Sequence, residues 1–343
     1  MENLTIVDIA RLTGVSVSTV SRVLNKHPDV SAKTRARVLA TIEKYQYIPN
    51  NSARNLKRES MKAIVVIVKG FHNPLFAVML GIIQQELERN NYNMIISQVD
   101  PNQDEVAAAI SICKEKKPRG LIFMGGNFHH THEKLARIDA PFVMLTITME
   151  SGIDRASFSS VTVDDYAAGY QVGQLACARG HRRIAVMAAS ADDISVSRLR
   201  VEGFLRSLKD NGLDHSGKLV LYAGNFSYQA GYEAANALLG GRGFTCLFCV
   251  SDILAFGAIR AIHDAGLAVP ADISVIGFDG IEEGRFLIPS LATMKQPDRE
   301  MAVESVRIIL QHIRSGAVHE HRLFEAIFTE GESFSARKMD GVI

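Results

Sequence analysis

Apolar positions near the N-terminal end fall into three short helical patterns. Val20, Val23 and Leu24 stand at i, i+3 and i+4, the narrow stripe of a helix within Val15–Asn25. Ser16 suits its N-cap, with a hydroxyl able to accept from an orphan amide of the first turn. Upstream, Thr5–Thr13 predicts a helix with Thr5 as N-cap, Asp8 as its capping-box partner and Gly14 as the stop. Downstream, Ser31 caps Ala32–Tyr45, where Val38, Leu39, Ile42 and Tyr45 are the apolar positions. Three helices of this length can close one small core, and the turn at Gly14 makes the first two a helix-turn-helix.

From Lys62 the texture changes. Ala63–Val68 is a continuous Val/Ile-rich run, as expected of a strand covered on both faces. Helix Pro74–Asn90, strand Tyr92–Ser97, helix Gln103–Lys116, strand Gly120–Met124, a helix near Thr131–Ile138 and strand Phe142–Ile147 follow. A second series opens with strand Ser160–Val163 and helix Asp165–Gly180, whose Gly169 and Gly173 lie one turn apart and allow close packing. It continues through strand Arg183–Ala188, helix Val196–Asn211, strand Lys218–Tyr222, helix Ser227–Gly240, strand Leu247–Ser251, helix Ile253–Ala265 and strand Ile273–Phe278. This alternation predicts an α/β fold of two doubly wound parallel sheets, one per lobe. The tail (strand Leu291–Met294, helix Arg299–Arg314, strand Leu323–Phe328) is too short for a third lobe and is expected to return and complete both.

Charge separates the two textures. Residues 1–62 hold 11 Lys and Arg against 5 Asp and Glu, and the remainder 27 against 32, within a net charge of +1 over 343 residues. A basic head on an acidic body fits a phosphate-binding module joined to something else. Between them, Asn50–Arg58 offers only Ala53 and Leu56 as an apolar edge, so a helix there is marginal alone in water. No apolar run reaches the ~18 residues that span a bilayer, and Asp8 and Arg11 interrupt the start before a signal-peptide core forms. Four cysteines suit a reducing, cytoplasmic setting. Cys246 and Cys249 sit in a strand-like run where residues three apart point to opposite faces, so they read as buried structural residues.

The outward face of the second helix carries the clearest chemistry. Val17, Ser18, Ser21 and Arg22 are small apart from one guanidinium, and so suit close approach to base edges. Arg can bond guanine O6 and N7 together, and Val17 can meet a thymine methyl.

Thr-Ile-x-Asp-Ile-Ala, Gly-Val-Ser-x-x-Thr-Val-Ser-Arg-Val-Leu-Asn and Tyr-x-Tyr-Ile-Pro-Asn, from Thr5 to about Lys57, resemble the headpiece of the lac repressor/Gal repressor family. The resemblance implies DNA contacts from Thr5, Ser16, Val17, Ser18, Thr19, Ser21, Arg22 and Asn25. It also implies a hinge helix, carrying Asn50, Ala53, Leu56 and Lys57, that orders on DNA and wedges Leu56 into the minor groove. Asn73-Pro74-x-Phe76, Val161–Asp164, Ala178–His181, Arg200-x-x-Gly203-Phe204, Ser251-Asp252-x-x-Ala255-x-Gly257 and Asp272–Asp279 are similar to the family's regulatory core, which has the type I periplasmic-binding-protein fold. The domains implied are a headpiece over 1–48, a hinge over 49–61 and a core over 62–343. Within the core the N-lobe takes about 62–160 and 292–321, and the C-lobe about 161–290 and 322–343. The chain is thus expected to cross between lobes near Val161, Leu291 and Arg322.

Ligands of open α/β sheets bind beyond the carboxyl ends of strands. Thr146, Ser251 and Asp279 stand at such ends. The resemblance adds Arg200, Asp252 and Gln296, with Phe76 and Phe226 able to pack on an apolar sugar or base face. Many sugar-sensing members carry Asp in place of Thr146 and Asn in place of Ser251, so this pocket has fewer fixed polar anchors.

Enzyme signatures are absent: there is no G-x-x-x-x-G-K-[ST] and no G-x-S-x-G, and Gly240–Gly243 follows a helix as a cap and loop. His129, His130 and His132 lack further ligands at metal spacing and read as a solvated loop, with no metal or cofactor expected. The expectation is a cytoplasmic homodimeric repressor that binds double-stranded operator DNA under control of a small-molecule effector. A sugar or sugar derivative is the favoured effector, and a purine or nucleoside the alternative. A transport or receptor protein is a distant alternative, since it calls for a signal peptide and no helix-turn-helix. No leucine heptad follows Phe328 to suggest a tetramer.

Overall fold

A computed structural model of the chain describes residues 4–24, 27–45, 47, 62–70, 73–100, 103–126, 130–147, 153–190, 196–213, 220–241 and 243–337. The chain divides into two compact units, Met1–Met61 and Lys62–Ile343. In the first, α1 (Ile6–Thr13) starts at a capping box in which Thr5 and Asp8 satisfy each other's backbone amides, and stops at Gly14, whose φ is 62°. Helix α2 (Val17–Leu24) follows, with Ser16 Oγ accepting from the Thr19 amide at 3.2 Å. Helix α3 (Ala32–Lys44) is capped by Ser31. Ile9, Ala10, Val20, Val23, Val38 and Tyr47 form the core. Leu39 and Tyr45, expected to share in it, are exposed. The buried stripe of α3 runs through Val38 and Ile42 at i and i+4, so Leu39 falls on the flank, and Tyr45 lies past the last helical residue.

The second unit contains, in chain order, β1 (Ala63–Lys69), α4 (Pro74–Arg89), β2 (Asn93–Val99), α5 (Glu105–Lys116), β3 (Gly120–Met124), α6 (His132–Leu135), β4 (Phe142–Leu145) and β5 (Ser159–Val163). There follow α7 (Asp165–Ala178), β6 (Ile184–Ala188), α8 (Val196–Asp210), β7 (Val220–Tyr222), α9 (Tyr228–Leu239), β8 (Cys246–Cys249), α10 (Asp252–Asp264) and β9 (Ser274–Asp279). The tail is β10 (Ala292–Lys295), α11 (Asp298–Ser315), β11 (His321–Phe324) and β12 (Ile327–Thr329). One sheet has the order β2-β1-β3-β4-β5-β11 and the other β7-β6-β8-β9-β10-β12. All neighbours are parallel except β12, which runs antiparallel to β10 at the edge of the second sheet.

Coverage of both sheet faces explains the Val/Ile runs. In β1, Ile64, Val66 and Val68 meet Met79 and Ile83 of α4 and Ile309 of α11, while Val65 and Ile67 meet Val106 and Ile110 of α5 on the opposite face. In the second lobe, Cys246 and Cys249 are buried free thiols in β8.

The lobe boundaries fall a few residues later than expected. Val161 is in register between Leu145 and Arg322, so β5 belongs to the first sheet and not to the second series. Likewise β10 lies wholly in the second sheet, beside β9. Leu323–Phe328, expected as one strand, is divided between the two sheets, because no straight segment pairs with both β5 and β10. The chain therefore passes between lobes after Val163, after Lys295 and after Phe324.

Candidate effector site and candidate DNA-binding helix

Helix α2 turns the expected face outward. Val17 and Ser18 are exposed, Thr19 and Ser21 half-buried, and the Arg22 side chain is 59% exposed. Ser16 Oγ lies 2.8 Å from both Ser18 Oγ and Thr19 Oγ1. Arg22 Nη1 pairs with Asp29 Oδ2 at 3.1 Å, and the other Asp29 oxygen is 2.7 Å from His27 Nδ1. Thr5 spends its hydroxyl on the α1 cap, 2.7 Å from Asp8 Oδ2. Asn25, Asn50, Ala53, Leu56 and Lys57, with the whole hinge segment, lie outside the described residues.

The second site is built on close helix packing. A Cβ on Gly169 of α7 would sit 2.0 Å from the Arg200 carbonyl oxygen, and one on Gly203 of α8 would sit 2.0 Å from the Tyr166 carbonyl oxygen. Glycine at both places lets the two backbones touch and fixes Arg200 against the sheet. Its guanidinium is buried. Nε donates to Asp165 Oδ1 at 2.8 Å and Nη1 to the Val250 carbonyl at 2.7 Å, and the guanidinium carbon lies 3.6 Å from the centre of the Phe278 ring. Arg200 Nη1 also reaches Asp279 Oδ1 at 3.5 Å.

Asp279 ends β9 with φ of 120°, a conformation that non-glycine residues rarely adopt. Its carboxylate is surrounded by donors. Gln296 Nε2 is at 2.8 Å on one oxygen, and Ser251 Oγ and Asn73 Nδ2 are at 3.0 Å on the other. Asn73 belongs to the first lobe, where its side-chain oxygen also caps α4. This amide therefore joins the lobes at the carboxylate itself.

Asp165 and Asp252 both feel the buried Asp279 carboxylate. Burial pushes Asp165 up to about 6, against the pull of Arg200 and with the Asp279 charge adding to the rise. Asp252 is also raised well above the usual range, by burial and then by the Asp279 charge. Asp252, expected among the effector contacts, instead spends its oxygens within its own lobe. It accepts from Thr293 Oγ1 at 2.6 Å and from the Gly280 and Ile281 amides at 2.7 and 2.9 Å. Its work is to hold the turn that presents Asp279.

On the first-lobe side, Thr146 adopts φ of 60° and accepts from the Gly125 amide at 3.1 Å. The half-buried Phe76 ring lies over Gly125, where a Cβ would be 3.1 Å from its edge. Phe226 is 38% exposed on the loop before α9, apart from the Arg200 cluster's own hydrogen bonds. Among the described residues no group of three or more His, Cys, Asp or Glu could hold a metal. The solvated-loop expectation fails for His130, which is buried and bonded to Glu105 at 2.8 Å, while His132 opens α6 exposed and His129 lies outside the described residues.

Sequence reasoning missed Asp165 and the amide of Asn73 as members of the cluster. Asp165 follows Asp164, and two acids at a helix start read equally as dipole partners. Only Asp164 does that work, accepting from the Ala167 amide at 2.9 Å. Asn73 stood in an Asn-Pro-x-Phe stretch read only as part of the regulatory core, and nothing in it marked the amide as reaching the other lobe.

Residues 5–50 match the family "Bacterial regulatory proteins, lacI family", and residues 61–329 match "Periplasmic binding proteins and sugar binding domain of LacI family". The chain belongs to the LacI family. It is 39% identical to the HTH-type transcriptional regulator MalR of Clostridium butyricum, over 95% of this chain and 98% of that protein. Among solved structures it resembles the lac repressor dimer bound to operator and the anti-inducer ONPF, with 27% identity, a TM-score of 0.76 and coverage of 97% and 99% of the two chains. A LacI family regulator of Enterococcus faecium with bound ribose is 26% identical, covering 80% of this chain and 100% of that one, with a TM-score of 0.71. Like these LacI-family relatives, the chain is a transcriptional regulator built from a helix-turn-helix unit and a periplasmic-binding-type core.

Proposed function

We propose that this LacI-family regulator is a repressor whose affinity for operator DNA is set by a small hydroxylated effector, a sugar or sugar derivative, bound between the lobes of the core. The observation that carries this reading is the buried Arg200–Asp279 pair, with Asp279 at the end of β9 and met from the opposite lobe by Asn73. A fixed carboxylate accepts from hydroxyls, and a guanidinium fork donates to a ring or hydroxyl oxygen. Ser251 and Gln296 bond the same carboxylate, and Thr146 and Phe76 stand on the first-lobe side. The ribose bound to the Enterococcus regulator supports a carbohydrate-like ligand. Phe226, exposed on the loop before α9, is a further lining residue of this reading.

The DNA contacts of the reading are Val17, Ser18, Ser21 and Arg22 on the exposed face of α2, with Ser16, Thr19 and the Thr5 end of α1 toward phosphates. The lac repressor's operator-bound dimer supports a homodimer acting on a two-half-site operator in the cytoplasm. The protein acts by binding and not by catalysis. Operator affinity measured by fluorescence anisotropy, with and without a sugar found by thermal shift, tests the reading. Arg200→Ala and Asp279→Ala should abolish the ligand response and leave unliganded operator binding near wild type. Retention of the full response by both variants would place the effector elsewhere.

A further inference from the structure

Three ionisable side chains outside the Arg200 cluster are buried together at the carboxyl edge of the first sheet. Lys69 ends β1, Glu105 opens α5, and His130 lies beyond β3. Lys69 Nζ donates to Glu105 Oε2 at 2.9 Å and to the Gln103 carbonyl at 2.8 Å. The other Glu105 oxygen, Oε1, meets His130 Nε2 at 2.8 Å. The side chains of Lys69, Glu105 and His130 are 8, 1 and 4% exposed. A buried ion pair is an expensive way to fill a core, and the β1 positions before it are filled by Val and Ile.

The cluster adjoins the first-lobe side of the candidate effector site. Gly125, whose amide donates to Thr146 and whose face carries Phe76, lies so close to β1 that a Cβ there would be 2.3 Å from the Lys69 carbonyl oxygen. At Gly126 a Cβ would sit 2.7 Å from Glu105 Oε1.

His130 Nδ1 is buried with no hydrogen-bond partner among the described residues. Its chemistry follows from the other nitrogen. Glu105 accepts, so Nε2 carries the proton that joins them. In the neutral tautomer that matches this bond, Nδ1 bears a lone pair. That lone pair calls for a donor. A hydroxyl supplies one; a phosphate or carboxylate oxygen would set lone pair against lone pair.

We infer that His130 Nδ1 is an effector contact of the first lobe that accepts a hydroxyl of a neutral carbohydrate, and that Lys69 and Glu105 are positioning residues that hold the required tautomer. The inference rests on the small-molecule site proposed above and selects neutral sugars over their phosphates.

The test uses the full chain and a thermal-shift panel of glucose, maltose, cellobiose, ribose and the corresponding sugar phosphates. The neutral sugar with the largest shift is titrated calorimetrically, with its monodeoxy analogues, against wild type, His130→Leu and His130→Gln. Gln keeps an N–H for Glu105, which guards against loss of fold, but lacks the fixed ring acceptor. Both variants should bind the parent sugar roughly 10–100-fold more weakly. One deoxy analogue should be weak against wild type and suffer no further loss against the variants. Equal deoxy penalties in wild type and variants would mean a merely structural histidine. Wild-type affinity in both His130 variants, with binding lost in Arg200→Ala, would overturn this contact and leave the proposed site standing. Stabilisation by sugar phosphates alone would also overturn it, and no response to any sugar would remove both readings.

Discussion

Arg22 is the only charged residue of α2, and its guanidinium stands exposed beside Asp29. Arg22→Ala should cost about 1–3 kcal/mol of operator affinity and relax preference at one base pair, with binding to random DNA nearly unchanged. Anisotropy titrations against the operator and a scrambled duplex separate the two, and equal losses on both would refute base readout. Asp165 offers a different measurement. Its folded-state pKa of about 6 lies above the unfolded value of 3.8, so between these values the native chain holds a proton that the unfolded chain has released. Stability contributed by this group is present at low pH and declines as pH rises toward 6, by at most about 3 kcal/mol. Urea unfolding across this window should show a steeper decline in wild type than in Asp165→Asn, which keeps the raised Asp252. The sequence disclosed these side chains unevenly. Arg22 was legible because the face around it is small and uncharged. Asp165 was not, since its partner Arg200 is 35 positions away and contact across that distance leaves no local mark.

At the scale of elements, the pairing of α7 with α8 is what brings Arg200 to the sheet. Gly203→Ala would force its Cβ against the Tyr166 carbonyl, and neither backbone can yield without shifting a helix. Overpacking of this kind costs typically about 1–3 kcal/mol, read as a lower denaturation midpoint at unchanged slope. The same shift moves the guanidinium, so sugar binding should weaken more than stability alone explains. The close spacing of Gly169 and Gly173 foretold a tight helix contact, because small residues one turn apart have few other uses. Which sheet each strand joined was less legible. Strands β5 and β10 pair with β4 and β9 on one side and with β11 and β12 of the tail on the other, partners that a strand's own residues do not name.

Across the whole core, Asn73 and Asp279 connect two lobes whose residues are 206 positions apart in sequence. Asn73→Asp keeps an acceptor for the Leu75 amide but places a second carboxylate about where the 3.0 Å hydrogen bond now stands. Like charges at that spacing repel strongly. The variant should bind sugar more weakly than Asn73→Ala and scatter X-rays as a more open core; equal behaviour of the two substitutions would show that the bond does not join the lobes. The coupling between ligand and DNA is typically about 1–3 kcal/mol and must be reciprocal, so operator DNA should shift sugar affinity by the factor by which sugar shifts operator affinity.

The three passages between lobes also bear on how the chain is made. Translation delivers β1 through β5 early, yet the first lobe waits for α11 and β11, residues 298–324, before its outer helix and edge strand exist. Until then the growing polypeptide exposes Ile64, Val66 and Val68 to the chaperones and to other nascent chains, the kind of transient surface that aggregates. Neither lobe is a segment that can be cut out and folded by itself. A chain ending at Pro297 retains every strand of the first sheet but one, and still should accumulate as inclusion bodies under conditions where the full chain is soluble. Soluble expression of this truncation in a ribosome-release assay would show that the early strands need no late partner.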